Sequence, residues 1–125
     1  MSPDTEVHFE RAELRLAIPS KGRLMKIASE LLDRAGLRFR RRERRLYAIC
    51  RDTRVGIVFA NAADVPVLVD EGVVDLGVTG SDLVAESRLD LIEHLRLGFG
   101  RCRLVVAVRA DAPYANPEDL AGAKV

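Results

Sequence analysis

The sequence predicts an α/β fold built on a mostly parallel sheet. Two observations carry this. Short apolar runs alternate along the chain with stretches whose apolar residues recur at helical spacing, and glycine, proline or small polar residues punctuate nearly every junction. The chain has 125 residues, of which 48% are apolar, enough for one domain with its own core.

The elements follow in order. Leu14–Pro19 (LRLAIP) reads as a buried strand. Ser20, Lys21 and Gly22 form a tight turn with Ser20 as helix N-cap, and Leu24, Ile27, Ala28, Leu31 and Leu32 then mark one helical face up to a stop at Gly36. Leu46–Cys50 and Val55–Ala60 are two strands of a hairpin around the polar turn Arg51–Arg54. Ala63–Glu71 is a short helix, with Pro66 in its first turn and Gly72 after its end. Val74–Val78 is a further strand, Thr79–Gly80 a turn, and Ser81–Glu86 the start of another helix. Leu91–Leu97 reads as strand or linker, and Arg103–Arg109 (RLVVAVR) as a continuous apolar strand. Asn116–Leu120 is a capped helical turn ended by Gly122, and Lys124–Val125 opens one more strand. The polar, acidic stretch 1–13 lacks the apolar core of a signal peptide and reads as a flexible extension.

Composition excludes several classes. Net charge is +1, so no global field draws the chain to nucleic acid or to a membrane surface. No apolar run approaches the ~18 residues of a membrane span. Cys50 and Cys102 lack the spacing of a zinc site or disulfide framework; both sit in apolar runs and read as buried, reduced thiols of a cytoplasmic protein. Charge is local instead. Nine arginines fall between Arg34 and Arg54, densest at Arg38, Arg40, Arg41, Arg42, Arg44 and Arg45. Such a run is either a solvated surface segment or a phosphate-binding edge, since the guanidinium fork matches phosphate oxygens.

In an α/β sheet, ligands bind beyond the carboxyl ends of the strands. Two loops stand there. Ser20-Lys21-Gly22-Arg23 offers backbone N–H groups at a helix start and two cations, either an anion site or an ordinary strand-to-helix turn. Thr79-Gly80-Ser81-Asp82 offers hydroxyls and a carboxylate that suit a ribose, or simply a capped helix start. Asp64, Asp75 and Asp82 are the carboxylates placed to approach a Mg²⁺–phosphate complex, or to serve as caps. His8 and His94 have no nucleophilic partner at hand, so no hydrolytic triad is present.

Four blocks resemble one family. They are Leu16–Leu24 with Leu31–Leu37, Asp64–Pro66 with Val69–Gly72 and Asp75–Leu83, Leu97–Leu104, and Glu118–Gly122. In this order and spacing they resemble ATP phosphoribosyltransferase, across about nine-tenths of the chain. The resemblance implies a two-lobed fold of the periplasmic-binding-protein type (type II). It places the first lobe at 14–112 and the crossover toward a second lobe at 113–125, with that second lobe largely absent. The implied reaction transfers the phosphoribosyl group of phosphoribosyl pyrophosphate (PRPP) to N1 of ATP, the first step of histidine biosynthesis, with Mg²⁺ carried by the phosphate substrates and pyrophosphate released. Carried over residue by residue, the substrate contacts are Ser20, Lys21, Gly22, Arg23, Arg44, Arg45, Thr79, Gly80 and Asp82. The implied assembly is a homo-oligomer, or a hetero-oligomer with a regulatory subunit that resembles histidyl-tRNA synthetase.

Two departures stand out. Many members carry an arginine where this chain has Asn61, so one substrate contact is expected either to be missing or to come from a nearby arginine such as Arg51 or Arg54. The family's PRPP-binding loop, acidic and rich in Thr and Gly, falls beyond Val125, so this chain is expected to be incomplete. The competing expectation is a binding-protein-like lobe that senses an anionic small molecule without chemistry.

Overall fold

The computed structural model describes residues 10–42, 44–103 and 105–124. Its four strands are β1 (Leu14–Pro19), β2 (Tyr47–Ile49), β3 (Val55–Ala60) and β4 (Leu76–Gly77). The helices are α1 (Gly22–Arg34), α2 (Val65–Asp70) and α3 (Ser81–Ser87), followed by a 3₁₀ turn at Pro117–Leu120. The sheet order is β2-β3-β1-β4. β1 runs parallel to β3 from Leu14 opposite Val55 to Pro19 opposite Ala60, and parallel to β4 on its other side. β2 pairs antiparallel with β3, with Ala48 opposite Ile57, which is the expected hairpin.

Strict alternation along the strands divides the core in two. Leu16 and Ile18 of β1 and Ile57 and Phe59 of β3 face α1 and pack with Ala28 and Leu32. Ala17 and Val58 face the other way and pack with Val65 of α2 and with Val74. Both faces of the sheet are therefore covered, which is why β1 and β3 read as unbroken apolar runs rather than as alternating ones. Ile18 and Ile57 are fully buried. At about 25 cal/mol per Å² of apolar surface removed from water, each such side chain contributes roughly 2 kcal/mol.

Helix ends follow local chemistry, with small shifts from the sequence expectation. Gly36 adopts φ +86° just past α1, where the Leu37 N–H donates to the Leu32 carbonyl at 2.9 Å and closes the helix. At the other end Lys21, not Ser20, holds the N-cap position; the Ser20 N–H donates to the Ala60 carbonyl of β3 at 2.7 Å, which carries the β1–β3 pairing one residue past Pro19 and starts the helix one residue later. Gly80 rather than Ser81 or Asp82 precedes α3 as its N-cap, and Asp64 takes that place for α2, with Pro66 in the first turn as expected. The 3₁₀ turn has its expected start at Asn116, where Asp119 accepts the N–H groups of Ala115 (2.8 Å) and Asn116 (2.9 Å).

Two expectations are corrected. Arg103–Arg109 is irregular across its described residues, with Val106 78% exposed; of the two readings of Leu91–Leu97, strand or linker, the structure has the linker, with Ile92 91% exposed. An apolar run becomes a strand only when a neighbour accepts its ladder of hydrogen bonds, and among the described residues none does so. Leu104 and Val125 lie outside the described residues. The second correction is Cys102, which is exposed, whereas Cys50 is buried as expected. Of the extension expected over 1–13, residues 1–9, including His8, lie outside the described residues; Glu13 is tied down, its N–H and its carboxylate both meeting Arg54.

Two outcomes test this packing. A Cβ at Gly77 would overlap Cγ1 of the fully buried Val65 and meet Val69 Cγ2 at 3.1 Å. Gly77→Ala should therefore destabilise the protein by about 1–3 kcal/mol, read as a lower urea midpoint at unchanged slope. Burial raises the Cys50 thiol above its ordinary pKa, against an opposing hydrogen bond with Thr53. Because the thiolate is the nucleophile, mass spectrometry after mild alkylation at neutral pH should show Cys102 modified in the native protein and Cys50 only after unfolding.

Candidate anion-binding cleft

The parallel strands β1, β3 and β4 all end at one edge of the sheet, and the loops that follow them meet there. Ser20 leaves β1, Asn61 leaves β3 and Val78 leaves β4. Two hydrogen bonds lock these exits together: Ser20 N–H donates to the Ala60 carbonyl, and Thr79 Oγ1 donates to the Ala62 carbonyl at 2.6 Å.

Two hollows open on this edge, and Ser20 and Asn61 line both. The larger, about 620 Å³, is also lined by Arg41, Arg44, Arg45, Asp64 and the Phe59 edge of the core. The smaller, about 310 Å³, is lined by the Ser20–Arg23 loop together with Leu24 and Ala62. The arrangement sets Lys21 and Arg23 on one side of Ser20 and three arginines on the other.

Among the described residues, no ion pair neutralises those cations. Among the described residues the ion pairs are Arg38–Asp33, Arg54–Glu13, Arg96–Glu93 and Arg109–Asp111, all surface pairs outside the two hollows. Arg44 further adopts φ +61°, a left-handed conformation that costs a non-glycine residue about 1–2 kcal/mol. It sits in the turn closed by Arg45 N–H to the Arg42 carbonyl at 3.1 Å, immediately before β2. Gly22, at φ +79°, has open space where a Cβ would stand, leaving the backbone at the start of α1 accessible to a ligand.

The sequence-derived contacts thus fall into two groups. Ser20, Lys21, Gly22, Arg23, Arg44 and Arg45 line the two hollows. Thr79, Gly80 and Asp82 stand at the same sheet edge but line neither. Thr79 is spent on the Ala62 carbonyl, and the Asp82 carboxylate folds back over Gly80 so closely that a Cβ there would overlap it. Asp75 is at the opposite edge, accepting the Arg15 N–H at 2.8 Å, which removes it from any phosphate site. Asp64 is the carboxylate that lines the cleft, and no group of three His, Cys, Asp or Glu among the described residues could hold a metal ion.

Arg51 and Arg54 do not substitute for an arginine at Asn61. They sit at the amino end of β3 and Asn61 just past its carboxyl end, about 20 Å away at ~3.3 Å per residue. The cations that share the cleft with Asn61 are Arg41, Arg44 and Arg45. Sequence reading passed over Arg41 because nothing separates it from its neighbours in a run of arginines. The available signal was Phe39 within that run, an aromatic in a segment otherwise fully charged.

The fold and the site together define an α/β protein: a mixed, mostly parallel sheet with cationic side chains gathered beyond the carboxyl ends of its parallel strands, the place where such sheets take their ligands. Comparison with known proteins supplies the family. A model of the ATP phosphoribosyltransferase family matches residues 61–125. The chain is 42% identical over 112 residues to the ATP phosphoribosyltransferase of Rhodopirellula baltica, and 47% identical over 113 residues to that of Natronomonas pharaonis, in each case across 90% of this chain. It covers 38% and 40% of those two proteins, so it spans about two-fifths of the length of the curated relatives it matches. Among solved structures, it is similar to the ATP phosphoribosyl transferase (HisG:HisZ) complex from Thermotoga maritima, with TM-score 0.56 and 32% identity over 66% of this chain and 39% of that one. The chain belongs to the ATP phosphoribosyltransferase family. The mixed, mostly parallel sheet agrees with the periplasmic-binding-protein-like lobe that the sequence resemblance implies.

Proposed function

We propose that this chain forms the first lobe of a catalytic domain that transfers the phosphoribosyl group of PRPP to N1 of ATP, with residues 14–112 as that lobe and 113–125 leading toward a second. The observation that carries the proposal is the gathering of Lys21, Arg23, Arg44 and Arg45 around Ser20 at the carboxyl edge of the sheet, with no ion pair among the described residues to neutralise them. Family membership supports the chemistry.

In this reaction N1 of the adenine forms a bond to C1′ of the ribose as the C1′–O bond to pyrophosphate breaks, its electron pair leaving with the pyrophosphate. Positive charge develops at the ribose carbon and negative charge on the leaving group. Such a step depends on alignment and on stabilising the departing pyrophosphate more than on a strong base. The chain's residues suit that division. Lys21, Arg23 and the open Gly22 backbone hold one anionic group at the start of α1. Arg44 and Arg45 reach it from across the cleft, and the guanidinium fork can take two phosphate oxygens at once. Mg²⁺ enters with the phosphates, and Asp64 is the cleft carboxylate placed to meet it.

The assembly we propose is a hetero-oligomer with a regulatory subunit of the histidyl-tRNA-synthetase-like kind, a reading supported by the two-component complex from Thermotoga maritima; a homo-oligomer is the alternative. The proposed compartment is the cytoplasm. No helix among the described residues is long and apolar enough to cross a membrane.

Two measurements test the reading. Lys21→Ala should weaken ATP binding by about 1–3 kcal/mol, the scale of a lost charge-assisted contact, and unchanged affinity by calorimetry would refute the role. A chimera that joins this chain to the remaining part of one of its relatives should convert ATP and PRPP to phosphoribosyl-ATP and pyrophosphate, followed by mass spectrometry. In that chimera Arg44→Ala should lower kcat/KM by about tenfold or more. A folded chimera that binds ATP without turnover would instead favour a lobe that only senses anions.

A further inference from the structure

Within the run Arg38–Arg45, Arg41 differs from its neighbours. Arg40 and Arg42 are exposed, whereas Arg41 is half-buried. Its guanidinium carbon lies 4.3 Å from the centroid of the Phe59 ring, and its Nη1 donates to the backbone carbonyl of Ser20. Phe59 is itself held firmly: it is 2% exposed, belongs to β3, and meets the Phe39 ring at 5.7 Å between centroids in a tilted arrangement. No carboxylate among the described residues pairs with Arg41. An arginine stacked on a buried ring has little freedom, so its direction is set by the core rather than by solvent.

The carbonyl it holds is at a critical place. Ser20 is the last residue before Lys21, Gly22 and Arg23, and it borders both hollows. Its N–H is fixed by Ala60 and its C=O by Arg41, so both peptide groups that flank Ser20 are anchored. The second of those peptides contains the Lys21 N–H. Fixing its carbonyl therefore fixes the direction of an N–H at the start of α1, where an anion would dock. The same contact covers the negative end of a carbonyl dipole that would otherwise lie against a bound anion. A guanidinium has five N–H donors, so those not given to Ser20 remain for the cleft.

We propose that Arg41 is a positioning residue for anion binding: through Phe59 and the Ser20 carbonyl it orients the Ser20–Arg23 loop and screens that carbonyl from the ligand's phosphates. This rests on the reading of the cleft as an ATP and pyrophosphate site.

The test compares Arg41→Ala, Arg41→Lys and Lys21→Ala in this chain, with ATP as the calorimetric probe and the backbone amide resonances of Lys21 and Gly22 as the structural readout. Expected are an Arg41→Ala variant that binds ATP about tenfold more weakly, with displaced Lys21 and Gly22 amide signals at unchanged thermal midpoint, and partial recovery of both in Arg41→Lys, whose ammonium can still reach the carbonyl. If Lys21→Ala weakens binding while Arg41→Ala does not, Arg41 has no such role and the reading of the cleft survives. If Arg41→Ala lowers the thermal midpoint but leaves the two amide signals and the ATP affinity in place, its role is structural only and the proposal fails. If neither Lys21→Ala nor Arg41→Ala alters ATP affinity, the cleft reading falls and the proposal with it.

Discussion

β1 is hydrogen-bonded on both sides to parallel neighbours, to β3 along its whole length and to β4 over Leu16 and Ala17. Its side chains serve two separate cores, Leu16 and Ile18 toward α1 and Ala17 toward α2. A strand so placed cannot slip by one residue, because the slip would exchange the two sets and present the wrong volumes to each helix. The register of β3, and through it the hairpin with β2, is inherited from this strand. The position of Ser20 is inherited as well, since it is the next residue along.

The cleft is a consequence of that order. Parallel strands must all end on the same edge, so the turns after β1, β3 and β4 converge without any further design. What distinguishes this edge from that of any α/β sheet is the arginine-rich segment that runs back from α1 to β2. It crosses the carboxyl end of β3 and is stitched down by Arg41 on Phe59. Unpaired cations normally destabilise a site by mutual repulsion. Under the proposed function, that repulsion is what a bound polyphosphate relieves.

Much of this was legible in sequence. The β1 and β3 runs, the α1 face from Leu24 to Leu32, the hairpin around Arg51–Arg54 and the Gly36 stop all follow from local rules, and the structure keeps them. Helix starts were less legible. Ser20 is a good cap by composition, but its pairing with a carbonyl 40 residues away extends the strand by one residue and delays the helix start, which no local rule can see. Arg103–Arg109 failed for the same kind of reason: apolar content states a preference for burial, while strand formation needs a hydrogen-bonding neighbour. Cys102 fell with that segment. In the candidate site, the Ser20–Arg23 loop was legible from its place after the first strand and Arg44–Arg45 from the resemblance, whereas Arg41 became visible only when the fold brought its side chain over a particular ring. Asp75 illustrates the converse, a carboxylate at a strand boundary whose partner, Arg15, lies at the wrong end of the sheet for a phosphate.

That Asp75 contact has a wider meaning. Its carboxylate takes the Arg15 N–H while its own N–H donates to the Arg15 carbonyl at 2.9 Å, a two-way clip between β1 and the entry to β4. Arg54 and Glu13 make a comparable tie between β3 and the approach to β1. Both clips lie at the amino edge, away from the cleft. These two fastenings therefore stand at the far end of the strands from Ser20, so a substitution among the loops around Ser20 leaves both of them in place.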